Sequence, residues 1–510
     1  MLIVGALGYA LLTALCSQIE QTGATAWSTT LVRFGLAFPV ALVVLALLLE
    51  KLMPKMVCVP RGEKKPFCTL GAFALFLACY TPMLLIEYPG SFQYDVTYQV
   101  YQIATGRYTQ FHPLAHTLFL KLCLDAYAVL QSFEKCALLL SGIQMLVVSM
   151  CFALIAASIS RACSRRAARL ATAFFALCPY HWIFASSFVK DVMFGAFFAL
   201  FAAYMLEFIH SRGLTRGRAV MAVFAGLMAC LLRNNMIYAM AAWVALLLFF
   251  GRRTRRAACL ALLAAVLGVG VNQGLAALMQ AEGGDAKEML SVPIQQLCRA
   301  YQLAPECFTE SDRVEMDVFF EDQAYTRYDP TLSDPAKNKF ATDVFLEDKA
   351  AFFALWKRIG VQCPQIYLDA FLNTALPFLY PYHRYQGTAP YIETGVQKGA
   401  LTMPFGAPDI VQPGRFEALR TWLDANVWAT GARDIPVLRW VFNAGVVIWL
   451  MLLSVLFAMR RGDWARFAVL LLPVLLWGTY LLGPVMQGRY LYPFVCLLPL
   501  LLAVPANAKR

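Results

Sequence analysis

Apolar segments of about 17 to 24 residues recur along the chain, and short loops rich in Lys and Arg separate many of them. An α-helix needs about 20 apolar residues to cross the hydrocarbon core, where every backbone polar group must be paired within the protein. The pattern therefore predicts an all-α polytopic membrane protein with about twelve transmembrane helices. In residue numbers, the predicted helices are roughly 2–18, 30–50, 66–86, 137–159, 170–187, 192–209, 217–232, 235–250, 257–279, 436–458, 467–484 and 489–505.

Composition and charge agree with this class. The 510-residue chain is 60% hydrophobic, has a mean hydropathy of +0.60 and carries a net charge of +12. Basic residues beside membrane helices are typical of cytoplasmic loops, so the charge does not indicate nucleic-acid binding. We therefore place both termini in the cytoplasm and interpret Met1–Cys16 as part of the first membrane helix rather than a cleaved leader. The basic clusters assigned to the cytoplasm are Lys51–Lys65, Arg161–Arg169, Arg212–Arg218, Arg252–Arg256, Arg460–Arg466 and Lys509–Arg510.

One apolar segment, Leu114–Leu130, is interpreted differently. Lys121 and Asp125 interrupt it, and counting it as a span would place Arg161–Arg169 on the opposite side of the membrane. We expect it to lie in the membrane interface rather than to cross it. The preceding polar residues then belong to a first long loop, residues 87–135, on the outer side.

A second large region outside the membrane, residues 281–434, is here called the acidic segment. It contains 21 of the 31 acidic residues and 14 of the 43 basic ones. Amphipathic patterns predict helices that do not span at Ala336–Ile359 and Cys363–Leu379, and irregular structure is expected from Pro377 to Gly414. The chain then divides into an N-terminal transmembrane hairpin with its basic loop (1–65), a helical core (66–280), the acidic segment (281–434) and C-terminal transmembrane helices (435–510).

Several polar side chains fall on the same predicted outer face. A carboxylate that accompanies several cations at a membrane surface suits a phosphate-bearing amphiphile whose head group reacts there, since Arg and Lys bind phosphate. The alternatives are a solvated carboxylate or helix cap for Asp95, a structural role beside Pro113 for His112, an ion pair for Lys190 and Asp191, and anchoring roles for Arg233 and Arg489. The candidate residues are Tyr94, Asp95, Gln99, His112, His116, Lys190, Asp191, Arg233, His383, Arg384, Arg489 and Tyr490.

Neither cysteine nor histidine spacing assigns a metal site. The 15 Cys are scattered, mostly in apolar segments, without a CxxC or zinc pattern. His112 and His116 share a helical face four residues apart but have no third ligand nearby in sequence. No metal-binding residue is assigned, although a divalent metal stays open as a cofactor. Cys298 and Cys307 are close enough in sequence for either a disulfide or two free thiols.

Four motifs carry a resemblance to a known family. Asp95 in PGSFQYDVTYQ is followed by HPLAHTLF, then by Lys190-Asp191 and by GRYLYP at Gly488–Pro493. In this order they resemble the GT-C superfamily of membrane glycosyltransferases, in particular protein O-mannosyltransferases and lipid-linked aminoarabinose transferases. The segment EMLSVPIQQLCR (Glu288–Arg299) is similar to an uncharacterised bacterial branch. The resemblance covers the chain from about Pro66 onward.

Two positions depart from the family pattern. Val96 stands where many relatives have a second acidic residue, and Leu114 replaces the second proline of the His-Pro-Pro element. The family's acidic doublet is therefore represented by Asp95 alone.

The resemblance implies a GT-C-like helical core and an enzyme that uses a polyprenyl-phosphate sugar as donor. A sugar attached to phosphate already has a leaving group, so the enzyme needs a general base and cations for the departing charge. We expect Asp95 to be the base, with His112 as a second catalytic residue, and Lys190, Arg489 and Arg233 to bind the donor phosphate. Transfer would invert the anomeric centre on the outer face of the bacterial plasma membrane. The acceptor, whether glycan, lipid or protein, stays open.

Two other functions are considered at this point. A transporter or flippase of a lipid-linked saccharide would place ionisable residues in mid-membrane and show two related halves. A polymerase or ligase of surface glycans would share the donor and the outer site. Because the polar residues collect at one face and no internal repeat is visible, the sequence favours an enzyme.

Overall fold

The structure is a computed structural model that describes residues 1–58, 67–91, 94–210, 213–384, 416–423, 425–426, 435–436 and 438–505. It is built almost entirely from helices, as the apolar pattern predicts. The α-helices are α1 Leu2–Thr22, α2 Trp27–Leu47, α3 Thr69–Ile86, α4 Tyr94–Thr105, α5 Leu114–Asp125, α6 Tyr127–Leu130, α7 Phe133–Ala162, α8 Arg165–Leu177, α9 Pro179–Ala185, α10 Lys190–His210, α11 Arg216–Leu232, α12 Asn235–Leu247, α13 Arg252–Leu278, α14 Ser291–Leu303, α15 Glu310–Phe319, α16 Asp334–Lys337, α17 Thr342–Glu347, α18 Lys349–Gln362, α19 Pro364–Leu379, α20 Glu417–Leu423, α21 Leu438–Val441, α22 Ala444–Arg460, α23 Trp464–Tyr480 and α24 Gly488–Leu502.

Shorter elements complete the described chain. A π-helical turn and a 3₁₀ turn, Leu48–Leu52 and Met53–Met56, extend α2, and two-residue strands β1 (Val57–Cys58) and β2 (Val504–Pro505) pair in parallel. Further 3₁₀ turns in the acidic segment are Ala286–Met289, Pro305–Cys307 and Glu321–Thr326.

Six helices among the described residues are long and apolar enough to cross a membrane. They are α1, α2 with its extension, α3, α7, α10 and α13. The apolar helices α12, α22, α23 and α24 are shorter, each with 17 residues or fewer. The chain is therefore an all-α membrane protein, and the larger number of about twelve spans stays a prediction.

Helix α10 forms the centre of the bundle. It is apolar on all sides and almost fully buried, as expected for a helix surrounded by other helices. Helices α7, α11, α23 and α24 pack against it. By contrast, α2 is exposed along most of its length, which suits a peripheral helix that contacts lipid.

Two predicted helices differ in the structure. The predicted span 170–187 is broken at Pro179 into α8 and α9, because proline lacks the N–H that a continuous helix requires and instead begins a new one. The predicted amphipathic helix Ala336–Ile359 is divided into α16, α17 and α18, with interruptions at 338–341 and at Asp348, whose side chain caps α18. In Leu114–Leu130 the chain forms α5 and α6, and the 12 residues of α5 extend about 18 Å, too short to cross a bilayer.

Basic side chains meet at one end of the bundle, where α7 and α10 end. Arg161 donates to both oxygens of Glu207, at 2.8 and 2.9 Å, and Arg218 pairs with the same buried carboxylate. His210 Nε2 lies 3.3 Å from Asp463, which joins the end of α10 to the start of α23. Arg161 and Arg218, from two of the basic clusters that the sequence assigns to one side, therefore share one end of the bundle.

The acidic segment has a hydrophobic core of its own. Helices α14, α15 and α18 enclose aromatic side chains, among them Phe320, Phe340 and Phe352, whose neighbouring ring centroids are 5.3 and 5.2 Å apart. Cys298 is buried there as a free thiol, and Cys307 is a free thiol as well. The structure thus contains no Cys298–Cys307 disulfide. Of the segment predicted to be irregular, residues 385–414 lie outside the described chain.

The turn between α1 and α2 is bound to the acidic segment by hydrogen bonds. The Gly23 carbonyl accepts from Arg299 Nη2 at 2.5 Å and from Asn373 Nδ2 at 2.8 Å. The backbone N–H of Thr25 donates to Asp369 Oδ1 at 3.1 Å. The N-terminal hairpin is therefore connected to α14 and α19 through polar contacts.

Candidate functional site

A short backbone pairing positions the first long loop against the start of α10. Ser91 N–H donates to the Ser186 carbonyl and Phe188 N–H donates to the Ser91 carbonyl, each at 2.9 Å. Four residues after Ser91 comes Asp95, in the first turn of α4, and two residues after Phe188 comes Lys190, the first residue of α10. The pairing therefore brings these two side chains together although 95 residues separate them.

Gly90 permits this close approach. Its φ is +131°, in the region that favours glycine, and a Cβ there would lie 2.3 Å from Ser141 Oγ and 2.4 Å from Phe188 Cζ. Ser141 Oγ already donates to the Pro89 carbonyl at 2.7 Å. A side chain at this position would require Ser141, Phe188 or the loop that carries Asp95 to shift.

Asp95 is the centre of a buried charge cluster. Its Oδ2 pairs with Lys190 Nζ and lies 2.7 Å from Arg489 Nη1 and 3.9 Å from His112 Nδ1. The carboxylate residue is 8% exposed. Arg489, near the start of α24, is oriented by Gln487, whose Oε1 accepts from Arg489 Nε at 2.5 Å. Two cations from different helices thus share one carboxylate oxygen.

These neighbours determine the ionisation of Asp95 and His112. Burial alone would raise the pKa of the Asp95 carboxyl, but the charges of Arg489 and Lys190 hold that pKa well below its usual range. Burial, reinforced by Lys190, lowers the pKa of His112 to about 3. Near neutral pH the site therefore contains an aspartate anion and a neutral imidazole.

His116 belongs to a second hydrogen-bonded group beneath the loop. Gln99 Nε2 donates to Thr117 Oγ1 at 2.8 Å, which leaves Gln99 Oε1 to accept from His116 Nδ1 at 2.9 Å. This assignment makes His116 Nε2 an acceptor. Burial lowers the pKa of His116 to about 3, so this ring is neutral as well.

Arg233, at the end of α11, forms an ion pair with a buried carboxylate. Its Nη1 donates to Asp191 on α10, and its Cζ lies 4.3 Å from the ring centroid of Tyr480 and 4.6 Å from that of Tyr490. Tyr490 is also 5.2 Å from Arg489 Cζ. Arg233 therefore contacts the residues adjacent in sequence to both Lys190 and Arg489.

Among the described residues, several buried polar atoms around the cluster have no hydrogen-bond partner. They include His112 Nε2, His116 Nε2, Asp191 Oδ2, Arg233 Nε and Tyr480 Oη. Buried polar atoms nearly always have a partner, so atoms of this kind mark a place for a polar ligand or water. In the described part of the chain, no group of three or more His, Cys, Asp or Glu side chains could hold a metal ion.

The acidic segment is attached on two sides of this cluster. At its start, Glu282 N–H donates to the Tyr108 carbonyl and Gln110 N–H donates to the Glu282 carbonyl, both at 2.9 Å. Further along, Ser333 N–H donates to the Pro484 carbonyl at 2.9 Å, five residues before Arg489. The segment therefore holds both the loop after α4 and the turn that leads into α24.

Most of the residues proposed from sequence meet here. Asp95, His112, Lys190 and Arg489 form the cluster, and Gln99, His116, Asp191, Arg233 and Tyr490 surround it. His383 and the backbone N–H of Arg384 instead contact Glu20 on α1. The helix α4 begins at Tyr94, whose side chain lies outside the described structure.

Several contacting residues were not among the site residues proposed from the sequence. Thr117, Tyr480 and Gln487, for example, each touch a proposed residue through a hydrogen bond or a ring contact. Gln487 had a usable signal, since it immediately precedes the Gly-Arg-Tyr motif. Tyr480 lies inside an apolar helix, where its sequence position alone does not separate it from other core aromatics.

The cluster contains an ionised carboxylate that can accept a proton. It also contains two cations that can exchange this carboxylate for another anionic group. Both elements lie at the end of the bundle opposite the basic ion pairs of Glu207. Such a site can bind an anion through Lys190 and Arg489 and remove a proton from a hydroxyl with Asp95.

The chain belongs to the family of unknown function DUF6020, whose sequence model matches residues 88–510. The matched region starts just before Gly90 and includes every residue of the cluster, whereas α1, α2 and α3 precede it. No curated protein and no solved structure matches the chain.

Proposed function

We propose that this protein is a membrane glycosyltransferase that moves a sugar from a polyprenyl-phosphate donor to an acceptor hydroxyl. The observation that supports this most directly is the shared Asp95 oxygen, on which Lys190 and Arg489 converge from two helices at one end of an apolar bundle. In this proposal the lipid phosphate enters from the bilayer and the acceptor enters from water. The resemblance to GT-C enzymes leads to the same substrate class.

In this proposal the donor phosphate takes over the cations that hold Asp95 in the unliganded site. Lys190 and Arg489 bind the phosphate oxygens, with Arg489 offering a planar fork and Lys190 a point charge. Asp95 loses both counter-charges, so its pKa rises and it becomes a stronger base. Binding of the donor thereby prepares the base for the acceptor.

The reaction is a single displacement. The acceptor oxygen attacks the anomeric carbon opposite the phosphate, its proton passes to Asp95, and the bond between carbon and phosphate oxygen breaks. The electron pair leaves with the phosphate, whose added charge Lys190 and Arg489 stabilise. No covalent enzyme intermediate forms, and the anomeric centre is inverted. His112 presents its Nε2 N–H to a substrate oxygen, because Lys190 Nζ, 3.4 Å from Nδ1, makes that nitrogen the acceptor.

The proposed orientation has about twelve spans in a bacterial plasma membrane, with both termini inside and the cluster outside. Labelling of intact cells with a membrane-impermeant maleimide tests it, after the exposed Cys68 and Cys259 have been replaced by Ser. Both Arg107 and Arg255 are exposed in the structure, so a difference in labelling between them reports the side of the membrane on which each lies. We expect Arg107→Cys to be labelled and Arg255→Cys to be protected. Protection of the first and labelling of the second would invert the orientation.

Enzyme and transporter differ in the fate of the donor. Purified protein in liposomes that contain a radiolabelled polyprenyl-phosphate sugar should, once its acceptor is supplied from a membrane extract, release free polyprenyl phosphate and labelled product. A transporter would move the intact donor between leaflets and release neither. Movement of the intact donor without cleavage would refute the glycosyltransferase proposal, provided that a thermal melting curve shows the protein to be folded.

A further inference from the structure

Arg233 occupies a position that connects the two proposed phosphate-binding cations. It lies at the end of α11, pairs with Asp191 on α10 and contacts Tyr490 on α24. Asp191 directly follows Lys190, and Tyr490 directly follows Arg489. A single guanidinium therefore contacts the neighbour of each cation, one on α10 and one on α24.

The surroundings of Arg233 distinguish it from Lys190 and Arg489. Its guanidinium charge is balanced by a fully buried carboxylate, whereas Lys190 and Arg489 are balanced by the aspartate that the reaction requires. Two tyrosine rings lie within 4.6 Å of its Cζ. Cation–aromatic contacts of this kind stabilise a guanidinium where it is, and they occupy surface that a phosphate would need.

The charge of Asp191 gives Arg233 a second task. Without Arg233, the fully buried Asp191 would leave an unpaired negative charge on the helix that carries Lys190, and that charge would disfavour an anionic donor. Removing one partner of a buried ion pair leaves the other charge uncompensated, which is strongly unfavourable. Arg233 supplies the partner that the buried Asp191 requires.

We propose that Arg233 is a positioning residue: it neutralises Asp191 and holds Tyr490, and so sets the spacing of Lys190 and Arg489 for the donor phosphate. This inference rests on the proposed function. It changes the role that the sequence suggests for Arg233, from direct phosphate ligand to the residue that organises the ligands.

A double-mutant cycle separates the two roles, with farnesyl phosphate as the probe and farnesol as its uncharged control. If Arg233 positions, Arg233→Gln weakens farnesyl phosphate binding by about tenfold or more, because Asp191 is left unpaired. Arg233→Gln combined with Asp191→Asn then recovers binding to within about threefold of Asp191→Asn alone, since no buried charge lacks a partner. If Arg233 binds phosphate directly, the double variant stays as weak as Arg233→Gln, and that result overturns the inference.

Further measurements exclude a general structural effect. Donor KM should rise in Arg233→Gln by a larger factor than kcat falls, and Arg233→Lys should lie between parent and Gln because it keeps the charge but loses the planar fork. Glu207→Gln is the matched control, since it disrupts a buried Arg–carboxylate cluster at the other end of the bundle. It should lower the melting temperature and leave donor KM unchanged. Equal KM changes in both variants would overturn the inference.

The comparison remains informative if Arg233→Gln does not fold, because the double variant and Asp191→Asn can be compared directly. A tenfold difference between them would contradict the positioning role. Failure of the proposed function gives a different result: the parent protein would bind farnesyl phosphate no better than farnesol. If the parent protein binds farnesyl phosphate selectively and Arg233→Gln binds it equally well, the positioning role of Arg233 is refuted and the proposed function is not.

Discussion

Replacing Asp95 with Asn tests the proposed base and its competition with the donor in one experiment. Asn keeps the shape of the side chain but carries no charge and cannot accept the proton of the acceptor hydroxyl. In the structure Asp95 Oδ2 is shared by Lys190 and by Arg489, which lies 2.7 Å away. The variant therefore removes a base and, at the same time, frees two cations.

The two consequences have opposite signs. Loss of a general base lowers turnover by about 10² to 10⁴, so kcat should fall at least a hundredfold. Phosphate no longer has to displace a carboxylate. A charge-assisted hydrogen bond contributes about 1.5 to 3 kcal/mol, so recovering even one weak bond of this kind tightens farnesyl phosphate binding by about tenfold. The unliganded variant should also melt at a lower temperature, because two buried cations lose their counter-ion.

Transfer in liposomes and calorimetric binding of farnesyl phosphate measure the two effects separately. Asp125→Asn is the control, because this carboxylate belongs to the same loop but is exposed and paired with Lys121 at 2.6 Å. It should change neither quantity. A well-expressed Asp95→Asn protein with near-normal transfer would exclude Asp95 as the base, and weaker phosphate binding would refute the exchange of cations.

Three further predictions concern pH, the loop and the second cation. Burial lowers the pKa of His112 to about 3, and the neighbouring cations hold the pKa of Asp95 below its usual range. Neither group therefore changes charge between about pH 5 and 8, and kcat/KM should show no acid limb in that range. An acid limb near pH 6.5 that disappears in His112→Gln would contradict this. Gly90→Ala should reduce both the melting temperature and the transfer rate by more than Gly106→Ala does. Both glycines have a positive φ, but a Cβ at Gly106 meets no atom within 4 Å. Equal effects would show that the steric overlap at Gly90 is relieved. Arg489→Lys should weaken farnesyl phosphate binding by several-fold, about 1 kcal/mol or more, because the planar fork is lost; affinity equal to the parent would leave Arg489 as a membrane anchor.

The positions of the helices were largely readable from the sequence, because an apolar segment in lipid must pair its backbone groups internally. Lys190–His210 and Phe133–Ala162, for example, include the predicted spans 192–209 and 137–159. The prediction was wrong where one residue changes the local hydrogen bonding. Pro179 divides a predicted span, and Asn443, whose side chain accepts from Val446 N–H, starts α22 eight residues after the predicted start at 436.

For the candidate site, sequence alone determined which residue types stand beside the apolar segments and which of them fall on one predicted side. The tertiary structure decided which of them meet. It brings Asp95 to Lys190 and Arg489, pairs Arg233 with Asp191, and places His383 on Glu20 instead. The reason is physical: helix formation depends on apolar patterns local in the chain, whereas contact between charges depends on which helices pack together and on how their ends are held. A buried charge requires a partner within a few ångströms, and only packing determines which residue supplies it.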